Sequence, residues 1–336
     1  MDFLYELLST PSVSGNEEKI ARKIREKIAP HVDEIRTDAM GNLIAVRRCG
    51  RADAETFMLC AHMDEIGVMV NFVEENGYLR FVPMGGLTVF SLANMQMEFT
   101  NGVRGVVCIE EEVKLADLKL KNLYLDIGAS SREQALERID IGDVACVVNE
   151  PLKMGDRLVS KALDNKIGCA ILCGVIEKLK DPLYDCVFVF STQEELGLRG
   201  ARTAAYSVEP DYAIAVDVTD SGDMIGSKNC PLKLGEGAAI KVKDSSVICH
   251  KSMINHLTYS AKENKIKYQM EVLKSGGTDA GAISASRAGV VTGGVSIPTR
   301  NIHTPTETID LKDVDACVRL LCHALTTEFD KYQTEN

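Results

Sequence analysis

Tryptophan is absent from the 336-residue chain, and aromatic residues make up only 5 % of it. Grooves that hold sugar polymers want aromatic faces to stack on, so this scarcity counts against such a substrate. A surplus of positive charge is missing as well. The 38 lysines and arginines face 49 aspartates and glutamates, for a net charge of −11. That balance argues against nucleic acid or anionic lipid as a partner. No apolar stretch approaches the ~20 residues of a membrane span. The start, Met1-Asp2-Phe3-Leu4-Tyr5-Glu6, is acidic and amphipathic and does not have the form of a signal peptide. Cys-x-x-Cys pairs are also lacking, although eleven cysteines are present. They are scattered, several within apolar runs (Cys60, Cys146, Cys186, Cys317), which reads as buried reduced thiols in a cytoplasmic protein.

What is present is ordinary for a globular protein, 45 % hydrophobic and 26 % charged. The length suits one large domain or two smaller ones. The stretch with the most chemistry is Ser191-Thr192-Gln193-Glu194-Glu195-Leu196-Gly197. It follows Val187-Phe188-Val189-Phe190, an apolar run that reads as a buried strand. Open α/β sheets keep their chemistry at the carboxyl ends of their strands. Two adjacent glutamates there point different ways, so one could bind a metal while the other handles a proton. Two solvated loop glutamates would look the same.

Similar arrangements recur. Phe57 to Ala61 reads as a buried strand running into His62-Met63-Asp64. His62 and Asp64 share a face in extended chain. A metal-bound imidazole commonly gives its other nitrogen to a carboxylate, and a structural hydrogen-bonded pair has the same spacing. Asp164 precedes a helix through Leu179, where it could cap the helix or bridge two metals. Asp217 ends the strand Tyr212 to Val216. His303 follows the strand Val295 to Ile297, in a loop stiffened by Pro298 and Pro305. The other histidines, at 31, 250, 256 and 323, fall on helices or surface loops. Ser275 to Gly281 is a glycine turn into a helix, readable as a weak anion loop or as tight packing near the site.

The chain's texture changes in the middle. Residues 2–8 and 17–28 read as helices, with Ser14 or Asn16 capping the second. Strands are expected over 32–36 and 42–46. From about Val68 the pattern becomes strand-rich, with Asn101-Gly102 as a hairpin signal between 96–100 and 103–108. One helix, near 132–138, interrupts it. The α/β pattern returns after Lys161 and closes with an amphipathic helix over 311–329. The expected organisation is therefore an α/β domain of residues 1–67 and 162–336, with a small β domain, 68–161, inserted.

His62, Asp164, Glu195, Asp217 and His303 form a set of five ligand-type residues at strand ends. Two histidines and three carboxylates suit a pair of borderline divalent ions with a carboxylate between them. Such a pair can share a hydroxide, polarise a carbonyl and stabilise an oxyanion. Glu194 is then free to move the proton.

The blocks Ala61-His62-Met63-Asp64-Glu65-Ile66-Gly67, Ala162-Leu163-Asp164-Asn165, Gln193-Glu194-Glu195-Leu196-Gly197, Val216-Asp217, Gly276-Gly277-Thr278-Asp279-Ala280 and His303-Thr304-Pro305-Thr306-Glu307 resemble the signatures of the tetrahedral (TET) aminopeptidases. Some members of that family carry an endoglucanase label. The resemblance runs in order along nearly the whole chain. It implies a zinc-peptidase-type α/β/α sandwich with an inserted β-barrel-like domain. It also implies a metallo-aminopeptidase acting on peptides. Two divalent ions per subunit, zinc or cobalt and sometimes manganese, would be held by His62, Asp164 and Asp217 and by Asp164, Glu195 and His303. Glu194 matches the general base and Asp64 the carboxylate orienting His62. The inserted domain would drive dimers that assemble into a hollow dodecamer. Glu236, Ala238 and Asn301 depart from the family pattern, which leaves the substrate preference open. The other readings are a glycoside hydrolase, which would need two carboxylic acids and no metal, and a chamber-forming binding protein without activity.

Overall fold

The computed structural model describes residues 2–227 and 230–329. Eight strands form a central sheet in the order Glu34–Thr37, Leu43–Arg47, Asp185–Ser191, Thr56–His62, Tyr212–Asp220, Val291–Thr299, Ala238–Lys243, Tyr268–Val272. The middle four are mutually parallel. Their sequences are near-continuous apolar runs because both faces are covered, as parallel strands require. Alternation still decides which side each residue serves. Phe57, Leu59 and Ala61 pack with the helices Leu163–Lys178, Leu311–Leu325 and Lys251–Glu263. Met58 and Cys60 pack on the opposite face with Ala201, Ala204 and Ile283, from helices Arg199–Val208 and Asp279–Ser284. The result is the expected α/β/α sandwich.

Six strands close into a barrel in the order Gly67–Val73, Leu79–Met84, Leu123–Asp126, Arg104–Ile109, Gln96–Phe99, Val144–Val147. The barrel has its own core, including Val70, Leu79, Phe99, Val107 and Leu125. The Asn101-Gly102 turn forms as the sequence predicts. Phe99 N–H donates to the Val103 carbonyl, and Gly102 supplies a φ of +88°. The strands Leu152–Met154 and Arg157–Ser160 lie outside the barrel. They form a separate sheet with Glu307–Asp310, tying the end of the 68–161 span to the chain's last strand.

Two local expectations need correction. The second helix, Glu18–Ile28, begins at Glu17 without a side-chain cap. Ser14 is not its cap because its hydroxyl donates to Asp64 instead, at 2.6 Å. The region of the one expected barrel helix also holds a second, Val89–Leu92, capped by Thr88. All eleven cysteines are free thiols. Among the described residues, no helix is long and apolar enough to cross a membrane.

Candidate metal centre

The parallel strands bring their carboxyl ends to one edge. Ser191 and His62 are in register on neighbouring strands, so the loop carrying Glu194 and Glu195 starts beside His62. Asp217 lies near the end of the next strand, and His303 sits in the turn between Val291–Thr299 and Glu307–Asp310. Asp164 comes to the same place from the first turn of the helix Leu163–Lys178, where its backbone is not helical. It therefore does not cap that helix.

All five ligand-type residues and Glu194 converge. The two oxygens of Asp164 face different imidazoles: Oδ1 is 3.1 Å from His62 Nε2, and Oδ2 is 3.3 Å from His303 Nε2. Asp217 Oδ1 lies 3.7 Å from His62 Nε2, and Glu195 Oε1 lies 3.3 Å from His303 Nε2. Glu194 Oε2 stands 4.0 Å from His62 Nε2. Ligand atoms of His62, Asp164 and Glu195 all fall within 4.8 Å of one another. Asp64 organises the surroundings from a fully buried position. Its carboxylate accepts the backbone N–H of Glu194 at 2.9 Å and of Glu195 at 3.2 Å. Its carbonyl is 3.0 Å from His62 Nδ1, and its carboxylate 3.4 Å.

The charges are out of balance without a cation. Burial alone would lower His62, yet Asp164, Asp217 and Asp64 hold it well above the usual imidazole range. Burial likewise opposes protonation of His303, which Asp164 and Glu195 push up to about 11. Burial raises Glu194, Glu195 and Asp217. Asp164 goes the other way: the two imidazoles outweigh burial and hold it below the usual carboxylate range. Among the described residues, no lysine or arginine forms an ion pair with any of these carboxylates. Two imidazoles forced towards protonation among buried acids fit divalent metal, which would displace those protons and neutralise the acids.

Several contributors were not legible in the sequence. Glu307 is 1 % exposed, and its two oxygens accept the backbone N–H groups of Asp164 and His303, each at 2.9 Å. Its place four residues past His303 in the last signature block was the only signal. Glu17 accepts N–H bonds from Gly15 at 2.8 Å and Gln193 at 3.1 Å. Burial and the Asp64 charge raise it to about 7. Glu65 ties Lys161 and Lys166 together just outside the site. The barrel also reaches in. A Cβ on Gly86 would lie 2.5 Å from His303 Nδ1, and one on Gly85 3.0 Å from Glu195 Oε2. Beside the cluster opens a cleft of about 470 Å³ lined by Gly86, Asp217 to Asp220, Leu273, Ser275 to Thr278 and Ile302. The Ser275 to Gly281 turn is thus a wall of this cleft; its helix, Asp279–Ser284, spans only six residues.

A sandwich with an inserted barrel and a His–carboxylate cluster at the strand ends defines a metal-dependent hydrolase. Residues 41–320 match the family described as M42 glutamyl aminopeptidase. A protein of Acetivibrio thermocellus, described provisionally as an aminopeptidase, is 47 % identical over 96 % of this chain and 98 % of its own length. Aminopeptidase APDkam598 from the archaeon Desulfurococcus kamchatkensis superposes with a TM-score of 0.94. It is 33 % identical over 99 % of this chain and 96 % of that one. The Pyrococcus horikoshii TET1 peptidase, described as assembling into a tetrahedron or a large octahedral shell, gives 0.86 at 30 % identity, over 97 % of this chain and 99 % of that one. The chain belongs to the M42 glutamyl aminopeptidase family and is a peptidase.

Proposed function

We propose that this chain is a two-metal aminopeptidase that releases N-terminal residues from peptides. The observation that carries the reading is Asp164, whose two oxygens face His62 and His303 separately. One carboxylate between two imidazoles is the donor arrangement of a bridging ligand. His62, Asp164 and Asp217 would hold one ion, and Asp164, Glu195 and His303 the other, with zinc or cobalt suited to this mixture of nitrogen and oxygen donors. A bound pair supplies Lewis-acid polarisation of the scissile carbonyl and acidifies the attacking water. Glu194 takes that water's proton and returns it to the leaving amine. In the metal-free protein burial, reinforced by Asp217 and Asp279 and opposed by His62, raises its pKa. Asp64 positions rather than reacts: it reaches His62 and the backbone of both glutamates.

The wider assignment is one catalytic domain, 1–67 and 162–336, with 68–161 as the element through which copies associate. Dimers would build a homo-oligomer, in its full form a tetrahedral dodecamer. The solved P. horikoshii relative supports the assembly, and eleven free cysteines support a cytoplasmic setting.

The test uses chelator-stripped protein assayed on free-amine and N-acetylated aminoacyl anilides, with and without added zinc or cobalt. Restored cleavage of the free-amine substrates alone is expected. Equal cleavage of the acetylated ones, or full activity in chelator, would sink the reading.

A further inference from the structure

We infer that Asp223 and Arg300 form a tie that fixes the spacing between the two halves of the metal centre, and that both are positioning residues for hydrolysis. The inference rests on the two-metal reading above. In that reading Asp164 alone is common to both ions, while Asp217 serves one and His303 the other. Their separation therefore depends on how the strand Tyr212–Asp220 is held against the turn that carries His303.

Main-chain bonds join these segments only up to the strand ends. Tyr212–Asp220 and Val291–Thr299 pair in parallel as far as Asp220 opposite Thr299. One further bond follows, from the Ser221 N–H to the Thr299 carbonyl at 3.1 Å. Beyond it, among the described residues, no main-chain bond connects the two. One segment runs on through Gly222 and Asp223. The other closes a hairpin in which Arg300 and Thr308 exchange main-chain bonds of 2.9 and 3.0 Å, with His303 in its loop. Arg300 thus stands at the root of the His303 turn, and Asp223 on the continuation of the Asp217 strand.

Two side chains rejoin what the backbone leaves apart. Arg300 Nε donates to Asp223 Oδ1 at 2.8 Å, and Nη2 donates to Oδ2 at 2.6 Å. Two parallel bonds between a planar guanidinium and a carboxylate fix orientation as well as distance. The buried Ser221 hydroxyl also donates to Asp223 Oδ1, at 2.7 Å, which ties the carboxylate to its own strand end. The bonds from Arg300 outweigh burial and hold the Asp223 carboxyl at about 2, so the pair is charged at neutral pH. The Arg300 and Asp223 side chains are 25 % and 16 % exposed, which sets them apart from a solvated surface pair. The tie acts on the ligands through the backbone of the segments it joins.

The experiment titrates metal-stripped full chain with cobalt, following heat and visible absorption, for the natural sequence, Asp223→Asn, Arg300→Gln and the double variant. Melting curves of the stripped and loaded forms, and kcat and KM on a free-amine anilide, accompany it. Asparagine keeps one acceptor but turns an NH2 towards the guanidinium donors, so the fork breaks. Each single variant should bind cobalt about tenfold more weakly, the lower end of what losing an outer support of a metal ligand costs. The loaded enzyme should lose about tenfold in kcat with KM little changed. The double variant should be no worse than the poorer single one, because both remove the same interaction. Arg300→Lys keeps the charge and loses the fork, so it should show the same effects more weakly; it serves where the other variants do not fold. Natural affinity and kcat in the folded variants would overturn the proposal, as would additive losses in the double one. A lower melting temperature of the stripped protein with affinity unchanged would also overturn it, by showing a role in stability alone. Saturation of the natural protein at one ion with full activity would instead overturn the two-metal reading beneath it.

Discussion

Replacing Glu307 by glutamine changes one atom's chemistry in a group outside the proposed ligand set. In the native protein both oxygens accept, from the N–H of Asp164 and from the N–H of His303. Glutamine offers one oxygen and an NH2 that can only donate. One of the two buried N–H groups then loses its acceptor and faces another donor, which costs about 1–3 kcal/mol. The cost falls on the backbone of a proposed ligand, so it should appear as metal affinity. A weakening of about 10–100-fold is the usual price of losing an outer partner of a metal ligand, equivalent to roughly 1.4–2.8 kcal/mol. The two routes agree. Calorimetric titration of stripped Glu307→Gln with cobalt or zinc measures the affinity directly. Melting curves with and without metal separate this from a folding defect: the metal-induced rise should shrink. An affinity within about twofold of the natural protein would refute the reasoning.

Three further outcomes are expected. Glu194→Gln should keep its metal and lose turnover by about 10²–10⁴-fold; a near-native rate would show that another group moves the proton. Gly86→Ala would set a methyl 2.5 Å from His303 Nδ1, and displacing that ring should cost about a hundredfold in kcat; a native kcat would mean that the barrel loop yields freely. Burial would raise Glu65, but the Lys161 and Lys166 charges outweigh it and hold it at about 2, against 4.5 for a free glutamate. That contribution to stability is full above pH 4.5 and is lost as the pH falls towards 2, at no more than about 1.4 kcal/mol per pH unit. Urea midpoints measured from pH 6 down to 3 should therefore fall below pH 4.5, and a flat profile would contradict the assignment.

His62, Glu195, Asp217 and His303 were legible because each comes soon after an apolar run. His62 ends its strand, Asp217 lies near the end of its own and Glu195 sits in the loop just after one, and parallel register aligns those strands. The sandwich followed from the same runs. What the sequence did not reveal depends on contacts between distant segments. Ser14 reads as a helix cap until Asp64, fifty residues away, takes its hydroxyl. Asp164 reads as a cap too, but its N–H is held by Glu307, 143 residues later. Gly85 and Gly86 look like an ordinary barrel turn. Only the placement of the barrel against the sheet shows that side chains there would collide with Glu195 and His303. The cleft walls were equally out of reach, because Leu273 and Ile302 come from opposite sides of the strand Val291–Thr299 in sequence. Local pattern predicts which residues stand at an edge, whereas tertiary packing decides what each one faces.

The most direct test of the central claim is the metal stoichiometry that restores activity. Stripped protein is titrated with cobalt while heat, the visible absorption of the ion and hydrolysis of a free-amine anilide are followed together. The account predicts binding that saturates at two ions per chain, with turnover that depends on metal and is lost again in chelator. Saturation at a single ion with full activity, or turnover with none, would contradict it.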